Sequence, residues 1–169
     1  MQSIRELYRI GTGPSSSHTM APRSAAQTFL ERNPGAAKYK ITLYGSLAAT
    51  GKGHLTDMAI HNVFEGHEHE IVWEPEKSLP MHPNGMRFLA LNAEGDKINS
   101  WKVYSIGGGA LLEEGSEAEP PKSIYEHHKM NEILEYCEKS GKSFWEYVED
   151  TEGKEIWDFL REISTKGEI

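Results

Sequence analysis

Ser15, Ser16, Ser17, His18 and Thr19 follow one another in a stretch, residues 11–19, that carries almost no apolar side chain. Such a stretch cannot build a core, so its hydroxyls and imidazole must be aimed at something other than packing. Immediately after it, Met20, Ala21, Ala25, Ala26, Phe29 and Leu30 recur at helical spacing. Pro22 suits a first helical turn, where a missing N–H costs nothing. Thr19, or a serine just before it, is a candidate N-cap. Hydroxyls and unpaired N–H groups at a helix N-terminus suit a carboxylate or phosphate. The stretch is not a Walker A loop, because no Gly-Lys-Ser/Thr follows the glycines. The plainer alternative is a polar turn that only caps a helix.

A second polar stretch runs Gly51-Lys52-Gly53-His54-Leu55-Thr56-Asp57. It places His54 in a glycine-flanked turn after a strand and before a helix. An imidazole is the side chain suited to moving a proton near neutral pH. Lys52 and Asp57 would set its charge and orientation. The competing reading is a surface turn with an incidental histidine. Two further stretches stand out: His82-Pro83-Asn84-Gly85 is a strong turn signal, and Gly107-Gly108-Gly109 at a strand end either lets backbone pass close to another chain or a ligand or is a plain bulge or turn.

The elements that must position these groups are read from periodicity. Residues 2–9 suggest a short helix, and residues 19–32 a longer one stopped by Asn33-Pro34-Gly35. Residues 39–45 and 69–73 read as strands, with Thr56 or Asp57 opening a helix between them. Residues 45–57 mix small residues with a Gly51-Lys52-Gly53-His54 turn. Residues 86–92 and 97–106 read as a hairpin. Residues 113–123 form an acidic linker, and residues 124–163 carry two or three amphipathic helices broken at Gly141 and Gly153. This order predicts an α+β fold, with a small mixed or antiparallel sheet, helices packed on one face, and a C-terminal helical tail. The expected division is 1–112, 113–123 and 124–169.

Composition narrows the functions. The 169 residues carry a net charge of −8 and no basic cluster, which argues against nucleic acid as a partner. No run of about 18 apolar residues is present, so no membrane partner is expected. The single cysteine, Cys137, excludes an internal disulfide, and with no apolar signal core at the N-terminus it points to the cytoplasm. Cys137 sits on an apolar helical stripe and reads as a packed thiol.

Four motifs in fixed order now bear on family: Gly13-Pro-Ser-Ser-Ser-His-Thr19; Tyr44-Gly-Ser-Leu-Ala48 with Thr50-Gly-Lys-Gly-His54 and Thr56-Asp57; His82-Pro-Asn-Gly-Met86; and Tyr104-Ser-Ile-Gly-Gly-Gly109. Together, over residues 2–112, they resemble the β chain, or N-terminal β domain, of bacterial iron–sulfur-dependent L-serine dehydratases. The segment 132–143 resembles the connector leading to the cluster-bearing domain in single-chain members. The resemblance implies a fold similar to the allosteric substrate-binding domain of some D-3-phosphoglycerate dehydrogenases. It implies β-elimination of L-serine to pyruvate and ammonia, assisted by a [4Fe–4S] cluster.

On that resemblance, Ser15, Ser16, Ser17 and Thr19 are expected to bind the substrate carboxylate, and His18 to hold the loop or touch the substrate. His54 is expected to be the base, with Asp57 and Lys52 beside it, and Asn84, Gly107 and Gly108 to shape the pocket. The family's cluster is held by several cysteines, whereas this chain has one. The cluster ligands are therefore expected on a cluster-bearing α domain or α chain, and the isolated chain is expected to be inactive. A homo-oligomer is also expected. The alternative is a non-catalytic module that binds serine or another carboxylate.

Overall fold

The computed structural model describes residues 1–8, 11, 13–117 and 122–166. The chain divides into two compact units, Gly11–Ala118 and Met1–Ile10 with Glu119–Ile169. The first residues thus belong with the C-terminal helices, not with the sheet as the expected 1–112 boundary had them. Part of the expected linker, 118–121, lies outside the described residues, as does Thr12 of the serine-rich stretch.

The unit Gly11–Ala118 is α+β. A π-helical turn, Ser16–Met20, runs directly into α1, Ala21–Arg32. Asn33 ends α1, and its side-chain amide donates to the Phe29 carbonyl at 2.8 Å. β1 is Lys38–Tyr44, followed by α2, Gly45–Thr50, a 3-10 turn, Gly51–His54, and α3, Thr56–Val63. β2 is His69–Glu74, β3 Gly85–Leu91, β4 Lys97–Gly107 and β5 Ala110–Glu113. The strands lie in the order β2-β1-β3-β4-β5. β1 and β2 are parallel and the other neighbours antiparallel, so the sheet is mixed.

Alternation along the strands decides which face is covered. Tyr39, Ile41 and Leu43 of β1, Met86, Phe88 and Ala90 of β3, and Val103 of β4 share one buried cluster with Ala25, Ala26 and Phe29 of α1, Leu47 of α2 and Ile60 of α3. Phe29 lies parallel to Trp101 with ring centres 6.3 Å apart, and 5.4 Å from Phe88. The intervening residues Lys38, Lys40 and Lys102 stand on the opposite side and pair with Glu68, Glu70 and Glu114. Helices therefore cover one face, and the other carries these charge pairs, with Thr42 and Tyr104 buried among its residues.

Three local expectations are corrected. Of the helix expected over 2–9, residues 2–8 form only a 3-10 turn, Ile4–Glu6, with Ser3 accepting the Arg5 N–H and no residue of the turn buried, and residue 9 lies outside the described residues. Residues 45–50, which the sequence showed only as small residues ahead of a turn, form a helix, because Leu47, Ala48 and Ala49 are good helix formers and Leu47 is buried. The segment after the glycines is a fifth strand, β5, paired to β4.

The second unit holds α4, Met130–Ser140, α5, Phe144–Glu152, and α6, Ile156–Lys166. Gly141 and Gly153 stand at the ends of α4 and α5, as the sequence predicts. Tyr125, Cys137 and Tyr147 form its buried cluster with Ile4, Ile133 and Tyr136 packed against it. Glu152 gathers the Ser3 hydroxyl at 2.6 Å, the Ile4 N–H at 2.7 Å and the Tyr125 hydroxyl at 2.8 Å. Among the described residues, no helix is long and apolar enough to cross a membrane.

Candidate functional site

The π-helical turn packs against the 3-10 turn, α3 and β4. This brings together two of the stretches singled out by their polar content. Ser15 is the N-cap, and its hydroxyl accepts the His18 N–H at 3.1 Å. The helical turn therefore starts ahead of Thr19, at the serines. Ser16 and Ser17 are half-buried on its first turn. Their position suits a carboxylate, because the N–H groups of a first helical turn point outwards along the axis.

His18 and His54 come within 4.9 Å, ring centre to ring centre. Two buried threonines hold them there by crossed bonds. The Thr19 hydroxyl donates to the His54 carbonyl at 2.7 Å and accepts the Ser15 N–H at 3.2 Å. The Thr56 hydroxyl donates to the His18 carbonyl. Thr19 is 2% exposed and Thr56 fully buried, so the Thr19 hydroxyl is committed to the framework and is not offered to a ligand. Between His54 and Thr56 the chain turns at Leu55, which adopts a left-handed conformation, φ 57°. A non-glycine residue there costs of order 1 kcal/mol, which the two threonine bonds offset. Gly51 has no substitute: a Cβ would stand 2.8 Å from the Trp73 ring and 3.1 Å from Thr56 Oγ1.

The His18 imidazole is held below its ordinary pKa, first by burial and then by the neighbouring His54; the Ser46 contact pulls the other way. His18 is thus neutral at pH 7, with Nε2 3.2 Å from Ser46 Oγ. Ser46 was not singled out from sequence, although it lies in the Tyr44-Gly-Ser-Leu-Ala48 motif. Thr56 was noted only as a helix start.

The other expected residues are placed differently. Asp57 lies in the first turn of α3, its Oδ1 accepting the Met58 N–H at 2.9 Å rather than a bond from His54. The Lys52 ammonium lies 5.6 Å from the centre of the Trp73 ring. Asn84 sits at the start of β3, its N–H donating to His82 Nδ1 at 3.1 Å. Gly107 and Gly108 form the open β4–β5 turn at φ 104° and 56°, where an added Cβ would meet nothing within 4 Å. Gly107 and Gly108 therefore answer the needs of the turn and make no close approach.

No group of three or more His, Cys, Asp or Glu able to hold a metal occurs among the described residues. Cys137 is buried in the cluster of the other unit. An iron–sulfur cluster needs several thiolates, so the residues of this chain do not fit that cofactor by themselves.

The serine dehydratase β-chain family model matches residues 3–72 and 62–116, the region that carries both polar turns and the sheet. The chain belongs to the serine dehydratase β-chain family. It is 32% identical to an L-serine dehydratase of Helicobacter pylori, over 86% of this chain and 42% of that protein. It is 31% identical to the L-serine dehydratase TdcG of Escherichia coli, over 85% of this chain and 41% of that protein. An L-serine dehydratase of Streptomyces coelicolor is 31% identical over 66% of this chain and 34% of its own length. The chain spans about two-fifths of the length of the first of these relatives.

Proposed function

We propose that the unit Gly11–Ala118 is the substrate-gripping and proton-taking part of an L-serine ammonia-lyase, which converts L-serine to pyruvate and ammonia by β-elimination. The observation that carries this reading is the pairing of two imidazoles at 4.9 Å beside a serine-capped helical turn, in a chain whose relatives bear the name L-serine dehydratase.

Ser16 and Ser17, with the N–H groups of their turn, receive the carboxylate. That fixes the α-carbon with respect to the histidines. His54 takes the α-proton, and neutral His18, anchored on Ser46, lines the approach without adding charge. Asp57 and Lys52 act on the turn rather than on the proton: one puts its charge in the first turn of α3, the other rests on Trp73. The [4Fe–4S] cluster implied by the resemblance has no ligand set here. It is assigned to a cluster-bearing α domain or chain, and no step through it is derived. A homo-oligomer in the cytoplasm completes the proposal.

The test is anaerobic reconstitution with the cluster-bearing portion of a relative, followed by pyruvate release from L-serine. His54→Ala should lower kcat by about a hundredfold or more, the usual contribution of a positioned general base. Turnover surviving that substitution refutes the base assignment. Serine binding without turnover in any reconstituted mixture would favour the non-catalytic module instead.

A further inference from the structure

A grip made of hydroxyls and N–H groups recognises a carboxylate and nothing else. It does not distinguish an amino acid from the corresponding 2-hydroxy acid. An ammonium group needs acceptors, and the Ser16 and Ser17 hydroxyls are turned to the carboxylate as donors in this reading.

Among the described residues, Asn84 Oδ1, Ser105 Oγ and Tyr104 Oη are such acceptors, and the first two belong to residues bonded to each other. Asn84 Oδ1 and Ser105 Oγ are both buried without a hydrogen-bond partner. Ser105 is fully buried. Their residues are tied together, since the Ser105 N–H donates to the Asn84 carbonyl at 3.0 Å. Ser105 follows Val103 at strand spacing, so it stands on the helix-covered face of β4. The π-helical turn with the serines and His18 packs against that strand. Asn84 reaches the same place from the other side. His18 contacts Ser46, and at the adjoining Gly45 the chain passes so close to Pro83 that a Cβ would stand 2.5 Å from the Pro83 carbonyl oxygen. Pro83 precedes Asn84. His18, Ser46, Gly45, Pro83, Asn84 and Ser105 are thus linked one to the next by contact or by adjacency in the chain.

Leaving a buried acceptor unpaired is costly, and folded proteins keep such atoms where a ligand or water completes them. A carboxamide oxygen accepts only, and a hydroxyl has two lone pairs to offer. We infer that Asn84 Oδ1 and Ser105 Oγ form a subsite for the primary ammonium of an α-amino acid, and that this subsite makes the pocket select amino acids over hydroxy acids. The inference rests on the carboxylate-gripping reading above and adds the group that determines specificity.

The test uses the whole chain and two probes, L-serine and L-glycerate, which differ only in carrying an ammonium or a hydroxyl at C2. Affinities are read by titration of backbone amide resonances. The chain should bind L-serine about ten- to a hundredfold more tightly, the worth of hydrogen bonds to a charged group. Ser105→Ala and Asn84→Ala should each erode that preference while leaving glycerate affinity within twofold. Equal binding of both probes by the unsubstituted chain overturns the subsite, as does a parallel loss of both in the variants. In either case glycerate binding leaves the carboxylate grip standing. Binding of neither probe overturns both. Thermal melts guard against misreading: because the Ser105 hydroxyl has no partner in the fold, Ser105→Ala should leave the Tm nearly unchanged. A drop of many degrees would show the hydroxyl to be structural and overturn the assignment.

Discussion

Thr19→Val is the substitution whose effect follows most directly from the structure. Valine matches threonine in shape, so packing around this 2% exposed side chain is preserved. The change removes two hydrogen bonds, one to the His54 carbonyl at 2.7 Å and one from the Ser15 N–H at 3.2 Å. Each is worth about 1 kcal/mol net, and a buried partner left unpaired adds to the loss. The sum is about 2–3 kcal/mol. Thr19→Ser keeps the hydroxyl and deletes one methyl, which costs about 1 kcal/mol. The measurement is urea unfolding followed through the amide resonances of residues 13–117, so that the other unit does not blur the transition. The midpoint should fall for valine by at least twice the fall for serine, with the slope unchanged. A valine variant within about 0.5 kcal/mol of the parent would refute the view that this hydroxyl fastens the two histidine turns together, since that loss is smaller than one hydrogen bond.

Further outcomes are expected from titration and from the helical unit. Because burial and His54 hold the His18 pKa below its unfolded value, the unfolded chain takes up this proton first on acidification. The stability His18 contributes is complete above about pH 6.5 and is lost as the pH falls through its lowered folded pKa. His18→Gln should therefore flatten the fall in urea midpoint between pH 7.5 and 5, and identical slopes would count against it. Burial raises the Glu152 pKa, but the bonds from Ser3, Ile4 and Tyr125 outweigh it, and the net shift is downward. Its contribution is thus present above the ordinary carboxylate range and lost as the pH falls through the lowered folded value. Glu152→Gln should cost about 1–2 kcal/mol at pH 7 after allowance for solvent access, seen as earlier amide exchange in α4 and α5. Unchanged exchange would refute the role of Glu152 as a hub.

Much of this architecture is legible from residue order, and the exceptions have physical causes. Phe29, Tyr39, Ile41 and Phe88 announce themselves by period, because each belongs to an element whose one face is buried. The hairpin of β3 and β4 is legible for the same reason. α2 escapes such reading because its six residues are too few to show a period and only Gly45 and Leu47 of them are buried. β5 is too short to show a period and exists through its pairing with β4. Within the site, His18 and His54 stand out by chemistry, whereas Ser46, Thr56 and Ser105 do not. A buried hydroxyl looks like any other hydroxyl until its neighbours are known. The same blindness made Asp57 read as a partner of His54, when its carboxylate is occupied by its own helix.

The link between the parallel strands β1 and β2 is the segment that contains His54. Strand pairing of this non-local kind forms late in folding. A shortened chain that lacked the outermost strand would lose more than an edge: the loop with its imidazole would have no far post to hang from. Completion of the sheet and readiness of the histidine pair are thus one cooperative event, and the recognition turn cannot be lifted out as a peptide and keep its shape.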